Sequence, residues 1–179
     1  SCAAAAAKAS AQMLLTGMTI DKVSLMTPKG ILLELNIKNS EIETDYAECA
    51  IKKDSGDDPD VTNGILVYAR VEKIPSGIII DGGKGVGRIT KSGLDRKIGE
   101  AAINTVPRRM IENAVTEMAE KYGYDGGFRI IISVPEGEMI AAKTYNPRLG
   151  IEGGISIIGT SGIVEPMSNK AVIETIRTE

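Results

Sequence analysis

The chain contains no histidine among its 179 residues, and that one absence removes several chemistries together. A Ser-His-Asp triad, a Cys-His pair, a histidine-liganded zinc and a histidine general base are each excluded within it. Cysteine is nearly as scarce. Cys2 and Cys49 are the only two, they lie far apart, and they belong to no paired metal or redox spacing. Neither a disulfide framework nor a zinc site is expected. No apolar run approaches the roughly 20 residues that cross a bilayer, and no basic stretch precedes an apolar one at the start, so a cytoplasmic protein that does not engage membranes is expected. Excess positive charge is missing too. A net charge of −3 and a pI near 5.2 give no global field to hold nucleic acid or an anionic surface. An anionic ligand has to be gripped by local cations.

What the sequence does contain is enough apolar material, 42% of residues, to build a sizeable core. The alanine-rich stretch Cys2 to Thr16, closed by Gly17, reads as a helix with a glycine C-cap whose small side chains permit close backbone approach. Val23 to Met26 and Ile31 to Ile37 flank Thr27-Pro28-Lys29-Gly30, which predicts a hairpin. Further strands are predicted near Ala47–Lys53, Ile65–Val71, Ile78–Ile80, Arg129–Val134, Met139–Thr144 and Ile155–Gly159. A second helix is predicted with Thr105 as cap, Pro107 in its first turn, and an apolar stripe of Met110, Ile111, Ala114, Met118 and Tyr122 before Gly123. A terminal helix from Ser168 carries Ala171, Val172 and Ile176 inward. Strands outnumber helices and do not alternate with them. The expected class is therefore two-layer α+β, with a mixed or antiparallel sheet and packed helices, and not a doubly wound parallel sheet.

Four loops are dense in charge, glycine and proline, and such loops usually carry function. Lys53 to Gly64 holds four carboxylates, Asp54, Asp57, Asp58 and Asp60. Gly56 and Pro59 break the ligand alternation of an EF-hand, leaving turn capping or hydrogen bonding to a ligand's hydroxyls or amines as the two readings. Asp81 to Lys91 contains four glycines and three cations. It fails as a GxGxxG motif and as a Walker loop, because Arg88-Ile89 stands where the required residues belong, but it reads as a generic anion cradle. Pro107-Arg108-Arg109 puts two cations at a helix start, against the dipole. That placement points to an anion nearby, or to pairing with Glu112 or Glu117. Last comes Lys143 to Ser168, a strand between two glycine-rich polar loops, in which Thr160 and Ser161 lack the partner that covalent catalysis needs.

Read in order, CAAAAAKA (residues 2–9), KDSGDDPDVT (53–62), DGGKGVGRITKSGL (81–94), VPRRMI (106–111) and KTYNPRLGIEGGISIIGTSGIVEPMS (143–168) resemble the successive signature blocks of the CbiD family and cover nearly the whole chain. The resemblance implies a fold like that of the GHMP kinases. It also implies that residues 1–179 are the main domain and that a Rossmann-like domain follows beyond Glu179. The activity it implies is methyl transfer from S-adenosylmethionine to ring carbon 1 of cobalt-precorrin-5B, giving cobalt-precorrin-6A in anaerobic cobalamin synthesis. Asn63 departs from the pattern by standing where family members commonly carry histidine.

On this reading the partners are a small tetrapyrrole and the methyl donor, with no nucleic acid and no membrane, and a homo-oligomer is compatible with it. The cobalt belongs to the substrate, so no protein-bound metal is expected. Arg88, Lys91, Arg108, Arg109, Lys143 and Arg148 are the expected clamps on the tetrapyrrole's carboxylates. Asp54 or Asp58 is expected to take a ring proton or stabilise the sulfonium. Asp57, Gly83, Gly85, Gly159, Thr160 and Gly162 are the expected donor contacts. A nucleotide-binding, kinase-like enzyme and a non-catalytic tetrapyrrole carrier are the alternatives. Arg148→Ala is predicted to weaken tetrapyrrole binding without unfolding the domain, as measured by titration and a thermal melt; unchanged affinity removes Arg148 from the site.

Overall fold

The computed structural model describes residues 1–56 and 60–159. The chain opens with helix α1 (Cys2–Thr16) and continues through strands β1 (Lys22–Met26), β2 (Leu32–Ile42), β3 (Tyr46–Lys52), β4 (Leu66–Ile74) and β5 (Ile78–Gly82). Two short strands follow, β6 (Gly85–Val86) and β7 (Arg88–Ile89), then helix α2 (Thr105–Lys121) and strand β8 (Gly127–Ser133). Helices α3 (Gly137–Ala141) and α4 (Asn146–Leu149) and strands β9 (Ile151–Glu152) and β10 (Gly154–Ile155) end the described part. Six strands form one sheet in the order β1-β2-β3-β4-β8-β5. All neighbours in it are antiparallel except β5 and β8, which run parallel. The fold is thus α+β with a mostly antiparallel sheet, as the balance of strands and helices predicted.

The helix α1 lies against β3 and β4, and α2 lies against α1. Every alanine from Ala3 to Ala11 is buried. With nothing beyond a methyl group on most faces, the helix backbone sits close enough to the sheet for side chains to bond across. The Ser10 hydroxyl donates to the Ala69 carbonyl at 2.8 Å, and the Cys49 thiol, whose pKa burial pushes up to about 11, donates to Ala6 O at 3.4 Å. Gly17 ends α1 in the left-handed conformation at φ 71°. Lys8 is the helix's one cation. It crosses to the Ser24 carbonyl (2.8 Å) and to Glu117 on α2 (3.1 Å), tying hairpin, helix and helix together.

Four expectations require correction. Met139–Thr144 is not a strand: α3 takes residues 137–141, and its buried positions Gly137, Ile140 and Ala141 follow helical spacing. Of the strand expected at Ile155–Gly159, only Gly154–Ile155 pairs, with Ile157 making a single bridge to Ile103. Thr105 does not cap α2. The cap residue is Asn104, and the bonding is supplied from a loop, where the Asp95 carboxylate accepts both the Thr105 N–H (2.7 Å) and its O–H (3.0 Å). Tyr122 is 37% exposed, and Val115 completes the buried stripe in its place. The helix expected from Ser168 lies outside the described residues. No helix among the described residues is long and apolar enough to cross a membrane.

A second, smaller assembly sits where three segments cross. β6 pairs in parallel with β10, and β7 pairs antiparallel with β9. Gly85, at φ +76°, is the crossing point. A Cβ there would lie 1.7 Å from the Val134 carbonyl oxygen, and Cβ atoms on Gly137 and Gly154 would meet Gly85 O at 2.0 and 2.2 Å. Gly153 shares the left-handed backbone, at φ +82°, but has open space around it. Gly85→Ala is therefore expected to cost more than about 4 kcal/mol, or to prevent folding, whereas Gly153→Ala costs only about 1 kcal/mol of backbone strain. Urea unfolding midpoints of the two variants test this.

Candidate functional site

Three segments distant in sequence converge on one cleft of about 270 Å³. The start of α1 contributes Cys2 and Ala3, the β3–β4 loop contributes Lys53, Asp60 and Thr62, and the 144–158 segment contributes Thr144, Asn146, Ser156 and Ile157. Ile65, Val67 and Ile155 are buried and form the apolar floor. Val61 and Ile158, 58% and 68% exposed, form part of its rim. Each segment is held by main-chain bonds. Lys53 N–H donates to Ile65 O and Gly64 N–H to Lys53 O, both at 2.8 Å, closing the loop as an extension of the β3–β4 hairpin. Ile157 is fixed between Ala102 O, which accepts its N–H at 2.7 Å, and the Asn104 N–H, which its carbonyl accepts at 3.0 Å.

The polar wall centres on one ion pair. Lys53 Nζ donates to Asp60 Oδ2 and to Thr62 Oγ1, while Asp60 Oδ1 accepts the Thr62 N–H at 2.8 Å in an Asx turn. Burial, the largest single influence on Asp60, acts to raise its pKa. The hydrogen bonds from Lys53, the Thr62 amide and the Thr62 hydroxyl together outweigh it, and the carboxyl settles at about 2. It is a permanent anion at neutral pH and a poor proton acceptor. Burial pushes the Cys2 thiol up from its ordinary value. The Asn146 side-chain amide and the Ser156 hydroxyl have no hydrogen-bond partner among the described residues, which leaves them available to a ligand, whereas the Asn146 main-chain N–H donates to Thr144 Oγ1 at 3.2 Å. Lys53, Asp60, Thr62, Asn146 and Ser156 were not singled out from the sequence. Asp60 was visible only as one of four acids, and nothing local marked it as the one whose backbone position meets Lys53.

The residues nominated from the sequence divide into two groups. Arg88 donates to Asp81 at 2.7 Å and to the Gly82 and Gly99 carbonyls at 3.0 and 3.4 Å. Arg108 donates to the carbonyls of Ile103, Ile80 and Ala101 at 2.8, 2.9 and 3.3 Å, and burial lowers its pKa. Both guanidiniums brace the fold. Of the alternative pairings, Glu117 bonds Lys8 instead, and no ion pair of Glu112 with Arg108 or Arg109 is found among the described residues. The anion cradle does not survive either. Gly83 N–H is taken by Ile132 O, Val86 N–H by Gly83 O and Gly87 N–H by Ile155 O, at 2.8, 3.2 and 2.8 Å, so the glycines at Gly83 and Gly85 serve close packing.

By contrast, Lys143 and Arg148 are exposed and flank the cleft residues Thr144 and Asn146 in sequence. Lys91 Nζ reaches Arg148 O at 3.2 Å, which brings two of the nominated cations together, although neither they nor Lys143 line the cleft itself. Arg109 is exposed beside α2's start, away from the cleft. Asp54 is exposed, and its carboxylate accepts the Gly56 N–H at 2.8 Å. Asn63 Oδ1 accepts the Ser55 N–H at 3.0 Å, bracing the same loop. Gly159 is exposed at the end of the described chain. Asp57, Asp58, Thr160 and Gly162 lie outside the described residues.

Comparison with known proteins gives a consistent result. Residues 1–166 match the sequence model of the CbiD family. A cobalt-precorrin-5B C(1)-methyltransferase of Ruminiclostridium cellulolyticum is 60% identical over 179 residues, covering 100% of this chain and 47% of its own length. The protein of the same name from Alkaliphilus oremlandii is 53% identical over 180 residues, covering 100% of this chain and 49% of itself. The crystal structure of the cobalamin biosynthesis protein cbiD from Archaeoglobus fulgidus is 36% identical, superposes with a TM-score of 0.68, and covers 98% of this chain and 56% of that one. The chain spans about half the length of the curated relatives it matches.

The Asp60 pair predicts a pH signature. The folded carboxyl, at about 2, lies below its ordinary 3.8, so the stabilisation is complete above about pH 4 and is lost as pH falls towards 2. Its size is on the order of 2 kcal/mol or less. Acid titration of urea stability in the wild type and Asp60→Asn checks it: the two curves should be separated above pH 4 and converge near pH 2.

Proposed function

The chain belongs to the CbiD family, and from that premise we propose that it is the part of a cobalt-precorrin-5B C(1)-methyltransferase that seats the methyl donor, S-adenosylmethionine, in the cleft between α1, the β3–β4 loop and the 144–158 segment. The observation that carries this is the convergence itself. Three of the five family-like blocks, those containing Cys2–Ala3, Lys53–Thr62 and Thr144–Ile157, meet at one cleft although more than 150 residues separate the first from the last. Blocks that served folding alone would have no reason to share a pocket with uncommitted polar groups.

Size supports the assignment of the donor. A cleft of about 270 Å³ lies just below the roughly 300–1,000 Å³ of small-molecule sites, which suits a nucleoside and not a whole tetrapyrrole. The macrocycle is therefore proposed to lie across the rim, where Lys91, Lys143 and Arg148 meet its acid side chains. The donor supplies an electrophilic methyl on a sulfonium sulfur; the ring carbon forms the new C–C bond as the S–CH3 bond breaks and a neutral thioether leaves. The chain's own part is alignment and exclusion of water. The apolar floor of Ile65, Val67 and Ile155 covers one side of the reacting pair, and Asn146 and Ser156 fix the donor's orientation by hydrogen bonds. Asp60 is unsuited to deprotonate the ring, being held as a weak base by Lys53.

The same reading carries the domain organisation, with residues 1–179 as the main domain and a Rossmann-like domain following, and the likeness of this frame to the GHMP kinases. The kinase alternative has lost its main support, because the Gly83, Val86 and Gly87 amides of the loop that suggested a phosphate cradle are bonded within the fold.

Anaerobic incubation of the whole protein with cobalt-precorrin-5B and methyl-labelled S-adenosylmethionine should move label to the tetrapyrrole; no transfer defeats the proposal. Tight binding of magnesium-ATP in a calorimeter would favour the kinase instead. Asn146→Ala is expected to weaken S-adenosylhomocysteine binding about tenfold through one lost hydrogen bond, with the thermal melt unchanged.

A further inference from the structure

Lys53 and Asp60 are the only charged side chains among the described residues that line the cleft. Their side chains are 25% and 26% exposed, so the pair is largely removed from bulk water and still within reach of an entering ligand. Between them they carry no net charge. A group bearing only carboxylates would gain at Lys53 what it lost at Asp60, and a simple cation would meet the reverse balance. A ligand carrying both charges on adjacent atoms gains at both.

The atoms are arranged for that exchange. Asp60 Oδ1 is held by the Thr62 N–H at 2.8 Å, whereas Oδ2 accepts from Lys53 Nζ and is released from it when the ion pair opens. An ammonium has three donors. One of those on Lys53 goes to Thr62 Oγ1, so Thr62 keeps the amine in position after Asp60 lets go. The Lys53 main chain is fixed at both ends, its N–H on Ile65 O and its carbonyl on the Gly64 N–H. Neither charge has to move far, and the loop need not refold.

We propose that Lys53 and Asp60 form a zwitterion clamp, an ion pair that opens on ligand entry so that Lys53 takes the α-carboxylate and Asp60 the α-ammonium of the donor's amino-acid end. This rests on the assignment of the cleft to the methyl donor. The clamp leaves the apolar floor for the nucleoside and directs the sulfur between the two. It makes the amino-acid end, which takes no part in the chemistry, a determinant of affinity and orientation.

The experiment is calorimetric titration of the protein with two nucleosides, S-adenosylhomocysteine, which keeps the amino-acid end, and 5′-methylthioadenosine, which lacks it. The wild type should bind S-adenosylhomocysteine about 10- to 100-fold more tightly, as expected for a pair of charge-assisted hydrogen bonds. Lys53→Met, which keeps the aliphatic stem and removes the charge, should abolish that preference while leaving 5′-methylthioadenosine within about twofold. Asp60→Asn should do the same. If that variant fails to melt cooperatively, the Lys53→Met comparison decides alone. Equal affinity of the wild type for both nucleosides overturns the clamp, as does an equal loss for both in Lys53→Met, the pattern of a brace that merely shapes the loop. Failure of both nucleosides to bind the wild type overturns the donor-site assignment itself, and the clamp with it.

Discussion

The alanine faces of α1 bring its backbone close enough to the sheet for Ser10 to reach a carbonyl of β4 and for the Cys49 thiol of β3 to reach a carbonyl of the helix. Contacts of this kind contribute through packing density and not through side-chain area: an alanine buries little apolar surface, but loses almost no side-chain entropy and leaves no gap. The close approach has two consequences. Because α1 occupies so little depth, α2 can lie beside it and still share the core with the sheet. And because α1 starts level with the end of β3 and the start of β4, its first residues meet the β3–β4 loop. The cleft exists where it does because the helix whose first residues line it is thin.

A second close approach fixes the other wall. At Gly85 three chain segments pass within a distance that excludes even a methyl group. The crossing holds β10 against β6 and so sets the height of Ser156 and Ile157 over the cleft. Arg108 reinforces the arrangement by collecting three carbonyls from the converging segments Ile80, Ala101 and Ile103. A guanidinium is well suited to this because its planar fork presents several donors in fixed directions. Cations at a helix start are electrostatically unfavourable, and here the cost is offset by carbonyl dipoles and not by a bound anion.

This explains what could and could not be read from the residues. The alanine helix, the β1–β2 hairpin and the main strands were legible because each announces itself locally, through small-residue runs, turn residues or β-branched stretches. Met139 to Thr144 was not, because a short apolar run fits helix and strand alike, and the deciding factor was the packing of Gly137 on Gly85, a contact 52 residues away in sequence. The glycine loop was misread for the same reason. Glycines that expose amides to a ligand and glycines that admit a neighbouring backbone look identical in sequence, and only the pairing partners, Ile132 and Ile155, separate them. Within the acidic loop, the Asx turn that selects Asp60 depends on where Lys53 emerges from β3. Lys143 and Arg148 are exposed, as expected of cations in a polar loop.

Charge placement around the cleft follows from the opposite demands of the two ligands proposed for it. A sulfonium donor is cationic and a tetrapyrrole rich in acid side chains is polyanionic, so a single patch of either sign would favour one and repel the other. Two unit charges about 4 Å apart interact by about 4 kcal/mol near a protein surface, enough to reverse an affinity. The fold meets this by separation. Inside the cleft the only charged side chains among the described residues are one lysine and one aspartate, which cancel. Outside it, Lys143 and Arg148 project from the same segment that supplies Thr144 and Asn146 to the wall, with Lys91 fastened beside Arg148. One segment thus presents neutral polar atoms inward and cations outward, and the short helix α4, with Arg148 in its last turn and Gly150 closing it at φ 87°, makes that division possible within a few residues. Salt should therefore screen the outer cations far more than the partly buried inner pair, so that attraction of the polyanion and seating of the donor respond separately to ionic strength although they share one stretch of chain.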